Sequence, residues 1–252
     1  MSITKISPSV VDFDAGITIS TTDNTSNLIL TSTDADANTG PILELYRNSS
    51  SPADNDEIGR IYFYGENDND EKIEYGLIRG TIVDASDGTE DSALQIYTYS
   101  GGGQRNRIDL LAGETVFNEG SQDLDFRVES DGDANMLVVD GGNNRVGVGT
   151  SPDYRMHIFT ADSGASAHAN SDDLFIENSG NAGITIGSGT TSNGSIFFSD
   201  SDSSLSGQIE YRHNGDSLYF YTGGGSRLRI DSDGIKFGSD TATANALDDY
   251  EE

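Results

Sequence analysis

The sequence predicts an all-β chain, and three observations predict it. Apolar and aromatic residues alternate in short runs, glycine-containing turn dipeptides separate the runs, and no useful length carries helical periodicity. In "LQIYTYS", Leu94, Ile96 and Thr98 fall on one face of a strand and Gln95, Tyr97 and Tyr99 on the other. "GRIYFYGE" sets Ile61 and Phe63 against Tyr62 and Tyr64, and "SLYFYTG" sets Leu218 and Phe220 against Tyr219 and Tyr221. Strands with aromatic residues on both faces are expected to be covered on both sides, or on one side by another chain.

The turns follow from Asp-Gly at Asp87, Asp131, Asp140 and Asp233 and from Asn-Gly at Asn193 and Asn214. These dipeptides tolerate the positive φ of tight turns, so between alternating runs each predicts a hairpin. "DFRVESDGDANMLVVDGGNNRVGVG", residues 125–149, accordingly reads strand, turn, strand, turn, strand. The terminal "TATANALDDYEE" is compatible with a short helix too brief to stand alone.

The chain also repeats itself. "GGGQRNRID" at Gly101–Asp109 returns as "GGGSRLRID" at Gly223–Asp231, identical at seven of nine positions. The likeness extends in the same order: "GRIYFYGEND" matches "GSIFFSDSD", Ile73-Glu74-Tyr75 matches Ile209-Glu210-Tyr211, and Val116-Phe117 matches Lys236-Phe237. The order predicts two copies of one strand-rich module, residues 27–122 and, shorter, residues 161–240. Between them, residues 123–160 form a β meander with a "RVGVGTSP" junction; a Ser/Thr-rich arm, residues 1–26, precedes and a connector, residues 241–252, follows. Alternation places Arg105 with Arg107, and Arg227 with Arg229, on common faces, where nearby carboxylates suggest ion pairing across strands or between chains.

Of 252 residues, 43 are Asp or Glu and 14 are Lys or Arg, a formal charge of −29. That balance excludes nucleic acid and anionic membrane surfaces as partners, because both need a basic face. No apolar run approaches the roughly 18–20 residues of a membrane helix, so no membrane insertion is expected. "MSITKISPSVVDFDAG" lacks a basic segment followed by an apolar core and predicts no signal peptide. There is no cysteine, which removes disulfides and thiolate metal sites. Hydrophobic residues make up 34% of the chain. Modules that thin struggle to offset about 1–2 kcal/mol of chain entropy per residue, so association with identical chains is expected to supply buried area.

Candidate chemistry is sparse. Gly147-x-Gly149 is followed by Pro152 where a dinucleotide loop would need a helix, and reads as a strand end with a Ser-Pro corner. "DADANTG", Asp34–Gly40, has alternating oxygens like a calcium loop, but Gly40 falls one place late and Glu44 one place early. It reads as a solvated turn, like Glu66–Glu71 and Asp231–Gly234, with an incidental cation as the minority reading. His157, His168 and His213 fit neither a triad nor a zinc pattern. No catalytic, cofactor-binding or metal residue is assigned, no cofactor is expected, and an enzyme is not expected.

"NNRVGVGTSPDYRMHI" resembles the VGIGT-SP-x-x-x-L-H-V element of bacteriophage tail fibre and appendage proteins, with Val148 where Ile is common and Met156-His157-Ile158 for Leu-His-Val. "STDADANTGPILELYRNSSSPADNDEIGRI", "ETVFNEGSQDLDFRVESDGDANMLVVD" and "TANALDDYEE" resemble modules in fibres of phages of marine bacteria. The resemblance runs from about Asn27 onward. It implies an elongated, intertwined homotrimeric fibre that is exposed on the virion and supports host attachment. It further implies that residues 1–26 anchor on other virion proteins, and that a distal region beyond "LDDYEE" meets host glycans or proteins. The receptor-binding residues are therefore unknown from this sequence. A capsid-mounted fibre or decoration protein, a carbohydrate-binding tailspike-like adhesin and a bacterial surface adhesin are the alternatives.

Overall fold

In the computed structural model, the residues described are 16–242 and Leu247. Among them every regular element is a strand, as the alternating runs predict. The chain divides into two units on either side of Phe126.

The first unit holds one five-stranded sheet, with strands β1 (Glu57–Glu66), β2 (Lys72–Asp84), β3 (Asp91–Ser100), β4 (Gly103–Leu110) and β5 (Thr115–Phe117). They pair antiparallel in sequence order, so each strand lies beside its chain neighbour. Gly88, after Asp87, turns β2 into β3 at φ 86°, and Gly101 and Gly102 turn β3 into β4 at φ 58° and 79°. A side chain would be strained at each of these positions. Before the sheet, residues 16–50 run without strand pairing, and Ile17, Ile19, Leu28–Leu30, Ile42, Leu43, Leu45 and Tyr46 are 46–74% exposed.

The second unit carries two sheets. One is formed by β6 (Phe126–Val128, at the boundary), β7 (Leu137–Asp140), β8 (Arg145–Val148), β9 (Met156–Phe159) and β10 (Leu174–Glu177). β7 and β8 form the antiparallel pair that Asp140-Gly141 predicts. β8, β9 and β10 are parallel to one another, which hairpin signals do not encode.

The other sheet comprises β11 (Asn193–Phe198), β12 (Gly207–Arg212), β13 (Ser217–Thr222), β14 (Gly225–Asp231) and β15 (Gly234–Phe237), again antiparallel in sequence order. The segments matched by sequence fall on the same strands here as in the first sheet: "GSIFF" on β11, "QIEY" on β12 and "GSRLRID" on β14.

Two expectations are corrected. Asn193-Gly194 is no turn: both residues lie in β11, paired with Arg212 and Tyr211, because the chain has already reversed just before them, where Ser192 N–H donates to Gly189 O at 2.8 Å. Arg227 and Arg229 do not share a face. β14 bulges at Arg227, since Phe220 pairs with Leu228 but Tyr221 with Ser226. The extra residue turns Arg227 toward Thr222 while Arg229 stands opposite Tyr219. In the first copy the bulge falls at Arg107, whose Nε donates to Thr98 Oγ1 at 2.6 Å. Thr98 pairs with Arg105, so that pair stays together. The terminal helix falls almost wholly outside the described residues; Leu247 forms an isolated antiparallel bridge with Ile235.

Candidate interaction surface

Register turns the alternating runs into rows that cross whole sheets. In the first sheet Ile61, Ile78, Ile96, Ile108 and Phe117 are successive cross-strand partners and so point to one face. One residue along, Arg60, Arg79, Gln95 and Asp109 make the adjacent row on the other face. The last sheet repeats the plan: Ile196, Ile209, Phe220, Leu228 and Phe237 form an apolar row, and Ser195, Glu210, Tyr219, Arg229 and Lys236 a polar one.

Burial is inverted with respect to hydropathy. Asp109, Glu210 and Lys236, all in polar rows, are buried, whereas Ile61, Phe117, Ile196 and Phe237 at the ends of the apolar rows are exposed. The contrast is widest between neighbours on β15, with Lys236 at 1% and Phe237 at 62% exposure. Among the described residues the buried apolar side chains are Leu77, Ala93, Val138 and Pro152.

The polar rows enclose themselves because their side chains are long and lie flat. Arg79 donates from Nε and Nη2 to Gln95 Oε1 and from Nη2 to Tyr97 Oη at 2.6 Å, and its guanidinium sits 5.0 Å from the Tyr97 ring centre. Gln95 in turn donates to Asp109 Oδ2 at 3.0 Å. Tyr62 and Tyr64 stack at 5.2 Å. Leu77, the cross-strand partner of both Tyr62 and Tyr97, is buried on this tyrosine-covered face. Burial pushes the Tyr97 phenol above its ordinary range.

In the last sheet Tyr219 stacks on Tyr221 at 5.7 Å and lies under the guanidinium groups of Arg212, at 4.1 Å, and Arg229, at 5.5 Å. Arg212 also donates from Nε to Glu210 Oε1 at 2.5 Å and from Nη2 to Tyr221 Oη at 2.6 Å. Arg229 Nε approaches Asp231 Oδ2 to 2.8 Å, close enough for an ion pair though not aligned along its N–H. Lys236 Nζ donates to Asp231 at 3.0 Å and to Asp233 at 2.8 Å.

Those partners set a pH window. The Lys236 ammonium first, then the Asp233 backbone N–H and Arg229, hold the Asp231 carboxyl below the usual carboxylate range, while Asp233 and Asp231 raise Lys236. A depressed carboxyl stabilises the fold above its unfolded pKa and loses that contribution as pH falls through the folded value; a raised ammonium loses its contribution as pH climbs through its folded value. Urea midpoints are therefore expected to stay level between these ranges and to fall below about pH 4, where carboxyls ordinarily titrate. Lys236→Met should shrink the acid limb, because Asp231 then loses its main stabilising partner.

The middle sheet holds the other buried polar cluster. His157 Nε2 lies 3.1 Å from Glu177 Oε2, both residues being buried, and Glu177 Oε1 accepts from Ser163 N at 2.7 Å and Ser163 Oγ at 2.8 Å. The Ser163 N–H first, then its hydroxyl and His157, hold Glu177 low. Tyr154, Phe159 and Phe175 ring His157 at 5.2–5.7 Å. His168 accepts from Asn170 N at its Nδ1, and His213 meets the Tyr211 ring at 5.1 Å, so the three histidines occupy separate settings.

The remaining sequence candidates are local structures. In the Asp34–Gly40 loop the Asp34 and Asp36 carboxylates accept from the backbone N–H two residues on, the geometry of Asx turns. Gly149, at φ 77°, ends β8, and a Cβ there would lie 2.4 Å from Phe159 O. Arg105 Nε donates to Ser100 O, and Arg227 Nε to Thr222 Oγ1 at 2.9 Å.

Hydropathy could not reveal the inversion of burial, because it scores residues singly and not the company each keeps across strands. The signal lay in combining alternation with register. Comparison with family models, curated proteins and solved structures finds no match to this chain.

Proposed function

We propose that this chain is a structural virion protein, the shaft of a phage tail fibre or appendage, working as a homotrimer that supports host attachment. One observation carries the reading: each antiparallel five-strand sheet holds an apolar row that is half-buried at its centre and exposed at both ends in the single chain. A chain of net charge −29 with little apolar interior gains stability by joining copies of itself through these apolar rows, which hold no carboxylate. The resemblance of "NNRVGVGTSPDYRMHI" to a fibre junction supplies the virion setting. In that setting residues 1–26 dock on the particle, repeated modules set reach and stiffness, and several copies raise avidity through effective concentration. The purified chain is expected at three times 26.8 kDa with a hydrodynamic radius above that of a sphere of that mass. Light scattering coupled to size exclusion decides the matter, and a monomer at every concentration refutes it.

A further inference from the structure

Resting on that reading of self-association, we infer that the apolar row faces of the first and last sheets are the surfaces through which copies of this chain meet, each covered by other copies of the same chain. The polar Arg–Tyr faces stay outside the contact. Four features select a second copy as the occupant.

First, neither row carries a carboxylate, and the charged side chains beside them on the same faces are arginines, Arg105 in register with Phe63 and Arg227 held on Thr222. In a chain of net charge −29 these are therefore surfaces on which identical chains can approach without opposed carboxylates. Second, both faces share one plan, a row across five strands, so a surface of this chain that fits one face fits the other, where an unrelated partner would have to match twice.

Third, the area suffices. Side chains such as Ile58, Phe63, Leu94, Leu110, Phe198 and Ile230 widen the rows, being 37–57% exposed. With large apolar side chains offering about 150–250 Å2 each, that exposure amounts to roughly 500 Å2 per sheet. The two faces together exceed the ~800 Å2 per partner of a standard stable interface.

Fourth, each face carries an extended segment that lies outside any ladder of its own chain. Leu45 packs where a Cβ on Gly59 would stand, at 3.3 Å, and Ile186 does the same at Gly194, at 3.4 Å. Ile42 and Ile184 beside them are 69% exposed. These segments extend each apolar face past its first strand and offer unpaired backbone to a neighbouring copy.

The chain has no cysteine, which makes a local test available on the full chain. Single variants Phe63→Cys and Ile196→Cys on the apolar faces are compared with Asp87→Cys in the β2–β3 turn. Maleimide labelling is followed alongside solution mass over a dilution series. Assembled protein is expected to label the two apolar-face thiols at least tenfold more slowly than the turn thiol, with the difference vanishing once dilution yields monomer. Circular dichroism of each variant checks that the strands persist. Multimers whose apolar-face thiols label as fast as the turn thiol overturn this inference and leave self-association standing. A chain monomeric throughout overturns both, and a monomer with shielded thiols assigns the faces to its own terminal segments instead.

Discussion

Gly149→Ala is expected to abolish the middle sheet. The added Cβ would sit 2.4 Å from Phe159 O, a backbone atom that cannot swing aside, and the position already lies at φ 77°. Strain from the positive φ and displacement of the strand β9 terminus together cost on the order of 3–5 kcal/mol. Gly147 repeats the constraint, with a Cβ 2.3 Å from Thr150 O. The two glycines let residues 149–155 bring β9 back parallel to β8 without a helix, although parallel neighbours ordinarily need a longer crossover. Limited proteolysis should cut the variant between residues 129 and 177 while the first sheet stays resistant. Equal resistance in variant and parent would refute the account.

The second large effect is expected at His157→Ala. Removing the ring empties a slot bounded by Tyr154, Phe159 and Phe175 and strips Glu177 Oε2 of its partner. Cavity formation and the stranded acceptor together cost about 3–5 kcal/mol. His157→Phe separates the two contributions, because it refills the slot but restores no donor. Thermal melts should rank parent, Phe variant and Ala variant in that order; a Phe variant as stable as the parent would show that the contact with Glu177 adds nothing.

Both positions fall in "VGVGTSPDYRMHI", and they show how far the sequence could be read. Gly147 and Gly149 were legible as a strand end with a corner, since Pro152 and the lack of a following helix forbade a nucleotide loop. That the next strand returns in parallel was not, because period two is the same in parallel and antiparallel ladders. Alternation correctly placed Ile96 opposite Tyr97 and Phe220 opposite Tyr221 within their strands. It failed at Arg227, where one extra residue resets the register, and turn chemistry failed at Asn193, where the reversal is completed earlier, between Gly189 and Ser192, and leaves the dipeptide to the strand. The polar rows were the hardest to foresee. Glu210 and Lys236 look like surface residues until Arg212, Tyr219 and Asp231 are seen lying across and beside them.

The order of the strands also bears on kinetics. In every sheet each strand pairs with its immediate successor in the chain, so closing a pairing encloses only a local stretch of chain, the longest being residues 160–173 between β9 and β10. Ladders of such low contact order can zip forward as the polypeptide leaves the ribosome, without waiting for a distant segment. Individual sheets would then form in a first-order phase, and encounter between polypeptides would follow as a slower, second-order one. Stopped-flow refolding at several protein concentrations would resolve the two.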